Sequence, residues 1–177
     1  PSGHNINFGI RELAMSAIQN GMLLHGGLRT YVGCFCVFSD YVKPTLRLGC
    51  LEEVPAIYLF SHDSIAVGED GPTHQPIEQL AMLRSTPGNY VYRPCDANEV
   101  VAGWKFALQA TKHPTCLILS RQALPLLEGS SSPDLSKGGY VISKEKGAKP
   151  DFTLIATGSE VSLAIAAQEK LAQENIN

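Results

Sequence analysis

Residues 62–76 contain the side chains of this chain that are best suited to chemistry. They read His-Asp-Ser-Ile-Ala-Val-Gly-Glu-Asp-Gly-Pro-Thr-His-Gln-Pro. Two imidazoles, His62 and His74, flank the carboxylate of Asp70, and imidazole exchanges protons with a hydroxyl group near neutral pH. A metal site needs a third ligand in suitable geometry, which the pattern does not mark. The run indicates either a site for a hydroxyl-bearing ligand or a plain surface loop.

The position of this run favours a ligand site. Residues 55–60 are mostly apolar and include β-branched and aromatic side chains. This composition predicts a buried strand that ends just before residues 62–76. Open α/β sheets bind their ligands at the carboxyl ends of such strands. The connection is about a dozen residues long, and loops of that length are more often functional than short ones.

Three further candidate groups lie outside this loop. Glu12 opens a predicted helix, where a carboxylate is either a first-turn acid that interacts with the helix dipole or a functional group. Phe35, Phe38 and Tyr41 are three residues apart, which fits the core face of a helical turn or a loop that presents rings on one side. Arg121 ends a predicted strand and is either an exposed structural arginine or a phosphate ligand.

Helical and strand patterns alternate along the chain. The predicted helices run from residue 11 to the glycines at 26 and 27 and over 41–52, 77–84, 99–110 and 160–173; the predicted strands cover 30–35, 55–60, 90–92, 115–119 and 151–156. Pro44 is tolerable if it lies near the first turn of its helix, and Ser159 can cap the last helix. This alternation predicts an α/β fold with a mostly parallel sheet flanked by helices on both faces, rather than an α+β fold.

Residues 129–137 are rich in Gly, Ser, Pro and Asp and predict a linker. We therefore expect one domain over 1–128 and the start of a second α/β domain over 138–177. The chain begins without Met inside a motif, so we expect it to be part of a longer protein, and a targeting peptide would lie outside it.

The composition argues against several classes of partner. The net charge of −3, the pI of about 5.9 and the absence of long like-charge runs disfavour nucleic acid. No stretch of eighteen apolar residues indicates a membrane span. The five cysteines form no Cys-x-x-Cys pair, which favours reduced core thiols in the cytoplasm over disulfides or metal ligands.

Four separated stretches resemble the transketolase family in the family's order. Residues 62–76 resemble its signature nearly letter for letter. Gly-Ile-Arg-Glu at 9–12, the segment 35–41, and Leu-Ser-Arg-Gln at 119–122 with Leu-Pro at 124–125 also match. The resemblance implies the pyrimidine-binding domain of an enzyme that uses thiamine diphosphate to move two-carbon ketol groups between sugar phosphates in the pentose phosphate pathway.

The resemblance also implies roles for the cofactor-binding candidates. Glu12 would be the catalytic carboxyl group that hydrogen-bonds to the aminopyrimidine ring and controls its tautomer. Phe38 would stack on that ring, and Phe35 and Tyr41 would complete the pocket. Each of the three aromatic residues could instead serve packing alone.

The substrate-binding residues follow in the same way. His62 would contact donor and acceptor hydroxyls or phosphate, and Asp70 would bind the hydroxyl next to the ketose carbonyl. His74 would contact the reacting carbonyl oxygen or its proton. Arg121 would bind the substrate phosphate.

The family holds the diphosphate and a Mg or Ca ion in an amino-terminal domain whose motif is missing from this sequence. Its active site lies between the subunits of a homodimer. By this resemblance the chain supplies half of a site, binds no metal itself, and is inactive in isolation.

Asn7 and Leu13 stand where the family commonly has histidines, which leaves local hydrogen bonding open. Ala66 and Cys34 replace the more usual Gly and Thr. A formaldehyde-using relative, dihydroxyacetone synthase, has motifs too close to be separated by this stretch. A non-catalytic module of the same fold is a further alternative, against which the retention of all the candidate polar residues argues.

Overall fold

The computed structural model describes residues 4–131 and 137–177. The helices are α1 (Glu12–His25), α2 (Ser39–Leu51), α3 (Gln79–Arg84), α4 (Ala97–Gln109) and α5 (Glu160–Gln173), and the strands are β1 (Tyr31–Phe35), β2 (Ile57–Ser61), β3 (Tyr90–Tyr92) and β4 (Thr115–Ile118). Short 3₁₀ turns occupy Cys36–Phe38, Ile65–Val67 and Glu128–Ser130. Every helix predicted from the sequence is present, with ends shifted by a few residues.

The four strands form one parallel sheet in the order β1-β2-β4-β3. Tyr31 pairs with Ile57 at one end of the β1–β2 ladder, and Phe35 pairs with Ser61 at the other. Parallel neighbours need helical crossovers, which the intervening helices provide. The predicted α/β class is therefore confirmed.

The core lies against β2 and β4. Tyr58, Phe60, Leu46 and Ile118 are each at most 1% exposed. Burial of a side chain of this kind stabilises the fold by roughly 1.5–3 kcal/mol. The strand that ends at the signature loop is thus rigidly packed.

Helix α1 begins at Glu12 and ends where Gly26 adopts a positive φ of 85°, as the sequence predicted. Its buried face is mainly polar and consists of Met15, Ser16, Gln19 and Asn20. The apolar side chains of Leu13 and Ile18 are 50% and 45% exposed. The helix was predicted correctly, but its apolar side faces outward.

Two helices begin earlier than their apolar patterns indicated. Helix α4 begins at Ala97 because Oδ1 of Asp96 accepts a hydrogen bond of 3.1 Å from the backbone N–H of Glu99. Helix α2 begins at Ser39, so Pro44 lies inside the helix rather than in its first turn.

The strand predicted over 151–156 is wrong. These residues have no regular structure, and Phe152, Leu154 and Ile155 are 50%, 46% and 93% exposed. The apolar run suits a strand, but a strand requires a neighbour, and none pairs with it among the described residues.

The predicted capping role of Ser159 is also wrong, since its side chain makes no cap bond to α5. Its hydroxyl instead donates to Oε1 of Glu160 at 2.6 Å and accepts from Arg93. Part of the predicted linker, 132–136, lies outside the described residues.

Within the part of the chain that the structure describes, no helix has the length and apolar content needed to cross a membrane.

Candidate functional site

Phe35 and His62 meet at the carboxyl edge of the sheet. Phe35 is the last residue of β1, and His62 directly follows β2, whose final residue pairs with Phe35. The two rings stack with centroids 3.6 Å apart and an interplanar angle of 17°. The parallel register therefore places one signature histidine on an aromatic platform.

The other two aromatic candidates continue from the same strand end. Phe38 lies in the 3₁₀ turn and Tyr41 in the first turn of α2, so the loop expected here is helical. The ring centroid of Phe38 lies 6.3 Å from both Phe35 and Tyr41. Tyr41 is 61% exposed. The three rings thus form a row that reaches from the sheet edge to the surface.

His74 returns to this row from the far end of the signature loop. Its ring lies edge-on to Phe38, with centroids 5.3 Å apart, and edge-on to Phe35 at 6.4 Å. Nδ1 of His74 lies 2.9 Å from the hydroxyl of Thr73, and Nδ1 of His62 lies 2.9 Å from that of Ser61. Because each Nδ1 has a hydroxyl neighbour, each imidazole can present Nε2 to a ligand.

Arg121 follows β4, the neighbour of β2 in the sheet, and it is exposed. A Cβ placed on Gly68 would lie 3.4 Å from Nε of Arg121. Gly68 also has a positive φ of 97°, a conformation that glycine adopts readily. The guanidinium therefore lies against the signature loop.

Glu12 and Asp70 stand apart from the rings. Glu12 is partly buried beside β1: burial, with a contribution from the Glu12 carboxylate, raises the pKa of the Cys34 thiol to about 12. Asp70 is exposed on the loop. Among the described residues, neither carboxylate makes a hydrogen bond or ion pair with the aromatic or histidine side chains. The structure thus brings together five of the eight predicted site residues and places Arg121 next to their loop.

Two polar residues that support the site were missed by the sequence analysis. Nε2 of Gln79 donates to both carboxylate oxygens of Asp40 at 3.1 Å, and its Oε1 accepts from the backbone N–H of Ile77 at 2.9 Å. Asp40 lies between Phe38 and Tyr41, so this bond ties the aromatic row to the end of the signature loop. The position of Asp40 beside the aromatic residues was the available signal.

Asp63 and Arg93 were missed as well. Nε of Arg93 donates to Oδ2 of Asp63 at 2.7 Å, and their side chains are 7% and 1% exposed. Burial opposes the charge on Arg93, but the hydrogen bonds that it donates to the Glu160 and Asp63 carboxylates, and their negative charges, outweigh burial and raise the pKa of the guanidinium above its ordinary value. Asp63 belongs to the signature, yet nothing local indicates its distant partner.

The partly exposed rings at this edge fit the packing of a flat heterocycle. Phe38 and Tyr41 are only partly covered, so their rings can pack on a ligand ring. The two imidazoles supply hydrogen-bonding groups beside them, whereas the Glu12 carboxylate stands apart. Among residues 4–131 and 137–177, no group of three or more Cys, His, Asp or Glu side chains is arranged to hold a metal ion.

A cavity of about 850 Å³ lies elsewhere, between the β3–α4 region and the segment 138–177. Tyr92, Glu99, Phe106 and Tyr140 are among its lining residues, and no predicted site residue lines it. The size of this cavity therefore does not identify it as the site, because the two signature histidines and the aromatic candidates meet at the sheet edge instead.

The fold and this edge define the class of the protein as an α/β domain with aromatic and imidazole side chains at the carboxyl edge of its parallel sheet. The family model described as "Transketolase, pyrimidine binding domain" matches residues 1–126, and "Transketolase-like TK C-terminal domain" matches 138–177. The chain belongs to the transketolase family.

The similarity extends over almost the entire chain. A transketolase from Bacillus subtilis is 57% identical over 179 aligned positions, which cover 99% of this chain and 27% of that protein. A transketolase variant from Pichia stipitis, solved with fructose 6-phosphate, superposes with a TM-score of 0.90 at 48% identity and covers 96% of this chain and 25% of that one.

A structure described as an inactive β4 tetramer of a split-gene transketolase has a TM-score of 0.80 at 26% identity, covering 96% of this chain and 53% of that one. Compared with the full-length curated relatives that it matches, the chain spans about a quarter of their length.

Proposed function

We propose that the intact protein containing this chain is a transketolase that transfers two-carbon ketol groups between phosphorylated sugars of the pentose phosphate pathway. The observation that carries the proposal is the packing of His62 and His74 on Phe35 and Phe38 at the carboxyl edge of the sheet. The identity to transketolases over 99% of the chain supports it.

Thiamine diphosphate is the proposed cofactor, and when bound it supplies the nucleophilic carbon that attacks a ketose carbonyl. Phe38 would pack on its pyrimidine ring, with Phe35 and Tyr41 completing the pocket. Glu12 would hold a hydrogen bond to that ring from the start of α1. The cofactor's diphosphate and a Mg or Ca ion would be held outside this chain.

The sugar would lie against the signature loop. His62 would bind donor and acceptor hydroxyls or phosphate, while His74 would exchange a proton at the reacting carbonyl oxygen. Asp70 would accept a hydrogen bond from the hydroxyl next to that carbonyl. Arg121 would bind the phosphate with its planar guanidinium.

We propose that the site is completed between the subunits of a homodimer. The exposed apolar side chains of Leu13, Ile18 and Leu24 on α1 support this, because an apolar surface of this kind is typical of interfaces. The inactive split-gene tetramer supports the further proposal that this chain alone is inactive.

The domain limits of 1–128 and 138–177, joined by 129–137, remain our proposal, and the two family models divide the chain in a similar place. A cytoplasmic location is proposed on the five free cysteine thiols, which a reducing compartment would preserve.

The test is ketol transfer from xylulose 5-phosphate to ribose 5-phosphate by the intact protein, over a series of thiamine diphosphate concentrations. The Glu12→Ala variant should lose on the order of a thousandfold in rate. Equal activity of both proteins would show that Glu12 is not the essential carboxylate. A wild type that reacts only when formaldehyde replaces ribose 5-phosphate would favour the dihydroxyacetone synthase alternative, and no ketol transfer at all would favour a non-catalytic module.

A further inference from the structure

Arg93 connects the signature segment to the carboxyl-terminal part of the chain. It follows β3, and its Nε donates to Oδ2 of Asp63 at 2.7 Å. Both side chains are almost completely buried. A buried charge pair of this kind holds its partners in a narrow range of positions, because moving either one leaves an unpaired charge.

The other side of the guanidinium binds the turn that precedes α5. Nη1 donates to the carbonyl oxygen of Thr157 at 2.8 Å and to the Glu160 carboxylate, and Nη2 donates to the Ser159 hydroxyl at 3.3 Å. The backbone N–H of Gly158 donates to the carbonyl oxygen of Arg93 at 3.0 Å. One planar side chain therefore bridges two segments that are distant in sequence.

The close approach of this turn depends on Gly158. A Cβ at this position would lie 2.7 Å from Nε of Arg93, and Gly158 has a positive φ of 59°. A glycine at this point lets the turn press against the guanidinium. The contact thus depends on Arg93 in one segment and on Gly158 in the other.

Asp63 is the neighbour of His62, which has a positive φ of 58°. A non-glycine residue in the left-handed region is uncommon and persists where the surroundings hold it there. Stacking on Phe35 holds the His62 ring from one side. The anchored Asp63 side chain fixes the backbone on the other.

We propose that Arg93 is a positioning residue that, through Asp63, holds His62 in its stacked conformation and makes this position depend on the turn at 157–160. The expected effect on kcat/KM rests on the proposed function, whereas the expected effect on the position of His62 does not. The competing explanation is that Arg93 merely packs the carboxyl-terminal segment onto the sheet.

A double-mutant cycle separates the two explanations in the intact protein with thiamine diphosphate and magnesium. Arg93→Met should lower kcat/KM on the order of a hundredfold, because small displacements of a reacting group are costly. In a His62→Ala background the same change should cost no more than about twofold, since the group it positions is gone. Equal losses in both backgrounds would overturn the proposal.

Two further variants provide a second test and a control. Glu160→Gln leaves the buried pair of Arg93 with Asp63 intact. It should lower kcat/KM by a smaller factor than Arg93→Met, and again only when His62 is present. If Arg93→Met does not fold, the result for Glu160→Gln decides between the two explanations. Lys112→Met breaks an exposed pair with Glu53 and should leave kcat/KM unchanged.

Crystal structures of the intact wild type and Arg93→Met protein provide a readout that needs no activity. The Phe35–His62 centroid distance should increase from 3.6 Å, and His62 should leave the left-handed region. An unchanged His62 would overturn the proposal. If the wild type transfers no ketol group, the proposed function fails, while this measurement still tests the positioning role.

Discussion

Two polar regions of this molecule use similar side chains in opposite ways. Between α1 and α2, Ser16, Gln19, Asn20 and Thr45 are at most 7% exposed. Nδ2 of Asn20 donates to the carbonyl oxygen of Thr45 at 2.8 Å, and Nε2 of Gln19 donates to that of Ile57 at 3.0 Å. These groups hold the helices and the sheet together.

At the sheet edge, by contrast, the polar groups remain accessible. His62 and His74 are partly exposed, and Asp70 and Arg121 are exposed. The two imidazoles pack on aromatic rings and are not enclosed by hydrogen-bond partners. The comparison teaches that polar side chains of the same kinds can serve packing when the fold encloses them and remain available to a ligand when the fold leaves them accessible.

Among the variants that compare these two regions, the largest effect is expected in the accessible one. His74→Phe keeps an aromatic ring beside Phe38 but removes proton exchange, and it should lower ketol transfer by the intact protein on the order of a hundredfold or more. The thermal midpoint should change little. His25→Phe, at the exposed end of α1, is the matched control and should leave the rate unchanged. Loss of folding without loss of specific activity would place His74 with the structural polar residues.

The enclosed region should give the opposite result. Asn20→Ala removes the donor to the Thr45 carbonyl and the acceptor of the buried Tyr58 hydroxyl, and it should lower the free energy of unfolding by about 2 kcal/mol, because buried polar groups lose hydrogen-bond partners. Chemical denaturation measures this loss, and kcat of the remaining folded protein should be unchanged.

Ile18, on the exposed side of the same helix, offers a contrast to Asn20. Ile18→Glu should leave the fold stable and weaken the proposed homodimer, which sedimentation velocity would detect. An intact dimer in this variant would argue against an interface at this face.

The smallest expected effect concerns pH. Burial opposes ionisation of Asp96, but hydrogen bonds from Ser130, Leu127 and Glu99 outweigh it and hold its pKa below the ordinary value of 3.8. A lowered native pKa stabilises the fold above pH 3.8, and this stabilisation is lost as the pH falls through the native value.

Asp96→Asn should therefore destabilise the protein by about 1 kcal/mol at neutral pH, because an amide nitrogen replaces one carboxylate oxygen and cannot accept the hydrogen bonds which that oxygen accepted. The difference from wild type should shrink below pH 3.8. Unfolding midpoints measured from pH 7 to pH 3 check this, and a constant difference would contradict it.

The sequence alone determined the features that depend on neighbouring residues. The end of α1 at Gly26, the alternation of helices and strands and the position of the signature loop after β2 all follow from local backbone preference and side-chain period. Glu12 and the aromatic residues were candidates with open alternatives, and their proposed roles came only from the resemblance of their motifs to a family. Their ring contacts were not predictable from spacing.

Only the tertiary structure decided which distant residues meet. Parallel pairing of β1 with β2 brings Phe35 to His62, and the buried pair of Asp63 with Arg93 joins positions thirty residues apart. The apolar run at 151–156 forms no strand because strand formation requires a partner, whereas a helix such as α1 forms its backbone bonds within itself. Local bonds can be predicted from local sequence, while long-range pairs depend on the complete packing of the chain.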